Sequence, residues 1–209
     1  MLTSLPNLLT FARIGAVPLL VALFFVEPHQ ARWAACVLFT AAAITDWLDG
    51  YFARAWSQQS SLGRMLDPIA DKILVGATLL LLAAFRSIEG LSLLAAIIIL
   101  CREIMVSGLR EYLAELRVGM PVSRMAKWKT GIQMTAIGFL IVGDTGPDMI
   151  PARLIGETLL AVAAVLTLAT GYDYLRAGLH HATGEAPRPA EPASNAPAKN
   201  AKAARGTAG

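Results

Sequence analysis

The 209-residue sequence predicts an all-α membrane protein of six transmembrane helices with both termini in the cytoplasm. Three observations carry that prediction. Hydrophobic residues make up 56% of the chain and charged ones only 16%, where a soluble domain has roughly 25% charged, and the mean hydropathy is +0.55. Uncharged apolar runs recur along the chain, separated by short connections. The charged residues collect at alternate ends of those runs, so a chain that crosses back and forth gathers them on one side.

The first run, Ile14 to Val26, follows a stretch in which Pro6 stands near a helix start. Residues Ser4 to Asn7 are therefore expected to lie along the inner surface before the chain turns into the membrane at Leu8. No basic region precedes this run and no small-residue cleavage pattern follows it before Pro28, so it reads as a lasting helix and not as a cleaved signal. The second run, Trp33 to Thr45, ends in Asp46, Asp49 and Arg54, and the third, Ile73 to Phe85, starts after Asp67, Asp71 and Lys72. The fourth, Gly90 to Cys101, ends in Arg102, Glu103 and Arg110. The fifth, Thr130 to Gly143, starts after Arg124, Lys127 and Lys129, and the sixth, Thr158 to Tyr172, ends in Asp173 and Arg176. Glu27-Pro28, Glu89-Gly90 and Gly146-Pro147 mark the short turns at the other ends.

Each run is shorter than the roughly 20 residues of a full span, which by itself would suit buried helices of a soluble protein. The charges decide. One side holds 15 of the 18 Lys/Arg, against Arg32, Arg86 and Arg153 on the other, and the positive-inside rule makes the rich side cytoplasmic. At about 1.5 Å per residue, only about 20 Å of a roughly 30 Å hydrocarbon layer is purely apolar. The ionisable groups begin below the headgroups and need a polar cavity open to the cytoplasm, whereas the outer half of every helix reads as free of ionisable groups. Trp33 at the outer end and Trp47, Trp56 and Trp128 near the inner end suit interfacial belts.

Residues 1–182 form the membrane domain in this reading, and the Ala/Pro-rich residues 183–209 a disordered cytoplasmic tail. The tail's four Lys/Arg and two Glu account for most of the net charge of +3, and what remains excludes nucleic-acid binding through bulk charge. Cys36 and Cys101 lie in apolar runs and read as small core residues, with no disulfide framework or zinc site. His29, His180 and His181 are spaced wrongly for a metal cage.

Asp46 and Asp49 are three apart at the end of the second helix, and Asp67 and Asp71 four apart at the start of the third, so each pair shares a face. Four carboxylates converging at the edge of a low-dielectric layer need counter-charge. Salt bridges with Arg54, Arg64 and Lys72 are one source. Two divalent cations are the other, and an all-oxygen donor set selects Mg²⁺ or Mn²⁺, in the arrangement used for phosphoryl displacement. Gly50, Ala53 and Gly63 remove bulk where a ligand or helix comes close, and the planar fork of Arg54 suits a phosphate.

Together, residues 46–71 fit the pattern DxxDGxxARx8GxxxDxxxD at every fixed position. This resembles the signature of the CDP-alcohol phosphatidyltransferase family. The resemblance implies a six-helix membrane enzyme, homodimeric, that binds two Mg²⁺ or Mn²⁺ ions and a CDP-linked lipid. It implies that Asp46, Asp49 and Asp67 are metal ligands and that Asp71 is both ligand and base. Gly50, Arg54 and Ser60 would hold the CDP moiety, joined by Asn7 and Thr10 from the stretch before the first helix.

Downstream, R102EIMVSGLREYLAEL with K127WKTGIQM is similar to the branch of the family that uses glycerol 3-phosphate as acceptor. Arg102 and Arg110 on the fourth helix, with Lys127 and Lys129 on the fifth, would then form a pocket for the acceptor phosphate. Within the class, inositol phosphate, serine and phosphatidylglycerol are the rival acceptors, and a neutral acceptor would leave these basic residues without an anion. Outside it, buried aspartates in six helices suit a divalent-cation transporter. A bacterial cytoplasmic membrane, with the site facing the cytoplasm, follows from the same reading.

Overall fold

The structure is a computed structural model that describes residues 5–26, 29–55, 61–115, 124–147 and 149–182, with side chains apart from those of residues 5–6, 29, 47–55, 61–62, 64, 115, 124, 126–127, 173 and 176–182. Among the described residues all regular structure is helical: α1 (Leu5–Phe25), α2 (His29–Ala55), α3 (Ser61–Ala84), α4 (Gly90–Glu115), α5 (Arg124–Val142) and α6 (Ala152–Ala182), with a 3₁₀ turn at Gly143–Thr145. α1 packs on α2 and α3, α2 on α5, α5 on α6, and α6 on α4.

Among the described residues, three stretches are long and apolar enough to cross a membrane: Asn7–Phe25, Gly90–Ala114 and Ala152–Tyr172. The helices outrun the uncharged sequence runs because polar residues continue the same face at one end. On α1 the buried stripe is Ala16, Leu20 and Phe24 in one half and Asn7, Thr10 and Arg13 in the other, at the three- and four-residue steps that keep one side of a helix in line. α4 continues from Ile99 to Arg102, and α5 from Leu140, Ile137 and Ala136 down to Gln133 and Lys129. On α6, Leu160, Ala163 and Ala164 give way to Thr167 and Thr170. Lipid tails are as apolar as these side chains, so close van der Waals packing of the apolar halves, and not their removal from water, holds membrane helices against one another.

At the apolar end the aromatic rings of Phe24 and Phe85 meet edge to face at 5.6 Å, and the Arg32 guanidinium lies 4.2 Å over Phe24. The Trp33 indole N–H donates to the Thr145 carbonyl at 3.3 Å, fastening α2 to the turn after α5. Close approach of α5 and α6 depends on Gly156, where an added Cβ would stand 2.7 Å from Leu140 Cγ and 3.1 Å from the Ala136 carbonyl oxygen.

Three expectations are corrected. α1 is continuous from Leu5, so Leu5 to Asn7 belong to the helix and no turn intervenes at Leu8; Pro6 is tolerated because a first-turn N–H has no intrahelical acceptor to lose. Cys101 is exposed on α4 and not part of the core, because the buried face of that helix passes through Ile99 and Arg102. The outer halves of α2 and α6 are not free of charge: α2 starts at His29 and takes in Arg32, and α6 starts at Ala152 and takes in Arg153 and Glu157, which pair with each other at 3.3 Å.

Candidate active site

The polar half of α1 faces the start of α3 and the end of α2. Asn7, Thr10 and Arg13 are all buried on it. Thr10 Oγ1 donates to Asp67 Oδ1 at 2.5 Å, and Arg13 Nη1 pairs with Asp46 Oδ1 at 2.7 Å. Arg13, counted from the sequence as a topology charge, is thus a counter-charge inside the bundle. Among the described residues Lys72 makes no close ion pair: its Nζ donates to the Pro68 carbonyl of its own helix at 3.4 Å, while its charge still acts on Asp71. The Asp46 carboxylate feels the charge of Asp67, and Asp71 feels those of Asp46 and Glu103, so three of the expected aspartates share one electrostatic neighbourhood.

Across from them stands a basic group built by α4, α5 and α6. Lys129, 2% exposed, donates to Glu103 Oε1, and Arg102 Nη1 lies 3.7 Å from the same oxygen. Arg102 Nη2 donates to Thr170 Oγ1 at 3.0 Å. Its stem crosses α6 at Gly171, where a Cβ would stand 3.1 Å from Arg102 Cγ. The Tyr174 ring carries the Arg102 guanidinium at 5.5 Å and that of Arg110 at 5.3 Å, and the Tyr174 hydroxyl accepts from Arg110 Nη2 at 3.3 Å. One tyrosine therefore fixes both arginines. Between the acidic and basic groups is a cavity of about 30 Å³, with Asp71 and Lys72 on one wall and Glu103, Thr130 and Gln133 on the other.

Asp46, Asp67, Asp71, Asn7, Thr10, Arg102, Arg110 and Lys129 are thereby brought to one end of the bundle, and Gly63 is buried on α3 beside them. Asp49, Gly50, Ala53 and Arg54 lie on the last turns of α2 and Lys127 on the first turn of α5, with side chains outside the described ones; Ser60 lies outside the described residues. Sequence reasoning missed Arg13 as a partner, and Gln133, Thr170 and Tyr174 altogether. A signal existed for two of them: Arg13 follows Thr10 by three residues and Gln133 follows Lys129 by four, so each shares a helix face with a residue already chosen.

The donor chemistry suits hard divalent cations, since the acidic group offers carboxylate oxygens without histidine or thiolate. Among the described residues no three such side chains close on a single point, with Asp49 beyond those described. Arg13 and Thr10 hold Asp46 and Asp67 each by one oxygen. Chemically, the arrangement sets a basic group suited to an anion across a small cavity from a carboxylate able to take a proton.

Residues 3–169 match the family model described as CDP-alcohol phosphatidyltransferase. Three similar proteins share the name CDP-diacylglycerol--glycerol-3-phosphate 3-phosphatidyltransferase. The one from Rickettsia bellii is 45% identical over 83% of this chain and 94% of its own length. That from Pseudomonas fluorescens is 40% identical over 85% and 91%, and that from Cereibacter sphaeroides 36% identical over 87% and 98%. With the aspartate signature complete and the match running through five of the six helices and into the last, the chain belongs to the CDP-alcohol phosphatidyltransferase family.

Proposed function

We propose that this protein is an integral membrane enzyme that transfers the phosphatidyl group of CDP-diacylglycerol to glycerol 3-phosphate, giving phosphatidylglycerophosphate and CMP. The carrying observation is the junction at one end of the bundle, where the carboxylates of α2 and α3 and the basic group of α4 and α5 meet across one cavity through Asp71 and Glu103. The names of the relatives support the donor and acceptor.

Lys129, Arg102 and Arg110, joined by Lys127, bind the acceptor phosphate, whose desolvation is offset by charge-assisted hydrogen bonds. Asp71 takes the proton of the attacking hydroxyl as its oxygen bonds to the β-phosphorus, the bond from that phosphorus to the bridging oxygen breaks, and CMP leaves. Asn7, Thr10, Gly50, Ala53, Arg54, Ser60 and Gly63 hold or make room for the CDP moiety. Asp46, Asp49, Asp67 and Asp71 would hold two Mg²⁺ or Mn²⁺ ions, which when bound supply positive charge against the carboxylates and the reacting diphosphate. Arg13 and Thr10 orient Asp46 and Asp67 for that role.

In this reading all six helices span the bilayer, both termini and the active site face the cytoplasm of a bacterial cell, residues 1–182 are the catalytic domain and residues 183–209 its tail. The one-sided distribution of Lys/Arg supports the orientation, and the family resemblance supports a homodimer. The experiment is CMP release from CDP-diacylglycerol by purified protein in detergent, with and without glycerol 3-phosphate and in EDTA. Release is expected only with both the acceptor and free Mg²⁺ or Mn²⁺. Release that ignores the acceptor overturns the transfer reaction, and full activity in EDTA overturns the two-ion site.

A further inference from the structure

Gln133 on α5 is a polar side chain buried without an evident use. It is 2% exposed, and its Oε1 meets no hydrogen-bond donor among the described residues. A buried amide oxygen is costly to leave unpaired, which makes such a group worth explaining. Gln133 lines the cavity of about 30 Å³ that Asp71 and Glu103 also line. A single water needs at least about 10–15 Å³. The space therefore admits a hydroxyl group.

Its position relative to the two charged groups says which hydroxyl. The phosphate end of an acceptor belongs with Lys129 and Arg102, on the Glu103 side of the cavity, and the attacking hydroxyl belongs with Asp71, on the other. An acceptor seated between those points has its middle carbon at the cavity. In glycerol 3-phosphate that carbon carries the secondary hydroxyl, the one polar group of the molecule that neither attacks nor bears the phosphate. A hydroxyl both donates and accepts, so it satisfies Gln133 in either orientation of the amide.

We propose that Gln133 is a specificity-determining residue, whose amide binds the secondary hydroxyl of the acceptor in this cavity and so selects a vicinal-diol phosphate over a phosphate alcohol without the middle hydroxyl. The inference rests on the acceptor reading given above and deepens it. The selectivity comes from asymmetry: a hydroxyl-bearing acceptor pairs the buried amide, whereas an acceptor with a methylene at that point leaves it unpaired.

The test compares glycerol 3-phosphate with 3-hydroxypropyl phosphate, which differs only in lacking the middle hydroxyl, by CMP release from CDP-diacylglycerol with the full chain in detergent and Mg²⁺. The unaltered enzyme is expected to show kcat/KM at least about tenfold lower for 3-hydroxypropyl phosphate. Gln133→Met keeps the length of the side chain and removes its hydrogen bonding. It is expected to lower kcat/KM for glycerol 3-phosphate by about tenfold or more while the value for 3-hydroxypropyl phosphate stays within about threefold, so that the preference collapses. Equal use of the two acceptors by the unaltered enzyme overturns the proposal, however the variant folds. Parallel loss with both acceptors in Gln133→Met also overturns it, being the behaviour of a residue that packs around a structural water. CMP release with neither acceptor removes the acceptor reading itself, which separates that failure from one confined to Gln133.

Discussion

The two ends of the bundle use the same helix faces to build opposite interiors. On α1, Ala16, Leu20 and Phe24 fill one half of the buried stripe and Asn7, Thr10 and Arg13 the other. The apolar end also has ion pairs, but they stand at its rim. Arg153 reaches Asp144 and Glu157 at 3.3 Å each, with side chains 37%, 76% and 32% exposed. At the polar end the cations are buried, with the Arg13 and Lys129 side chains 0% and 2% exposed, while their partners Asp46 and Glu103 are 41% and 21% exposed. Rim pairs of the first kind contribute about 0–1 kcal/mol. For the second kind desolvation of the buried cation offsets part of the Coulomb gain, so such pairs are weak sources of stability. Stability thus explains the apolar half and leaves the polar half to be explained by ligands.

Substitutions that separate the two halves test this contrast, and the largest effect belongs to Asp67→Asn. Activity should fall to background, because an amide cannot replace an anionic ligand, while the thermal transition in detergent stays close to that of the parent. An active variant would move the chemistry away from this end. For Asp71→Asn the expectation is a drop in kcat of about 10²–10⁴-fold with binding of CDP-diacylglycerol largely kept, as for a base that works in the transition state. If binding and turnover fell together, Asp71 would act mainly as a ligand.

Lys129→Ala and Arg110→Ala should each raise the KM for glycerol 3-phosphate about tenfold, given about 1.5–3 kcal/mol for a charged hydrogen bond, with the KM for CDP-diacylglycerol within a few-fold. An equal rise in both constants would make these residues supports of the fold or the diphosphate. In the apolar half, Gly156→Ala forces a Cβ into Leu140 and should lower stability by about 1–3 kcal/mol with the activity of the folded fraction unchanged. Three residues away, Arg153→Ala should cost at most about 1 kcal/mol and no activity. A loss of turnover there comparable to that of Lys129→Ala would erase the distinction between the two ends.

Much of the polar end was legible before any coordinates. Asp46 with Asp49 and Asp67 with Asp71 fall at the spacings that align side chains on a helix, and that local regularity needs no knowledge of neighbours. Arg102, Arg110 and Lys129 were legible as a group through the family resemblance. Their partners were not. Arg13 and Asp46 are brought together by the way α1 packs on α2, Arg110 and Tyr174 are 64 residues apart, and Lys129 and Glu103 are 26 apart. Such pairings depend on the register between helices, which no spacing within one helix encodes. Cys101 failed for the same reason: an apolar run says that a segment is buried from water, and only the neighbouring helices say which side of it is buried in protein.

By itself, then, the sequence determined the helical class, the family and the gathering of acidic and basic residues at alternate helix ends, because hydropathy, period and motif spacing are properties of a contiguous stretch of chain. The tertiary structure alone decided that Arg13 answers Asp46, that Tyr174 fixes two arginines and that Gln133 stands buried at a small cavity beside Asp71. Burial and pairing are set by what the adjacent helix presents at the same height, and that height follows from packing the apolar halves against one another.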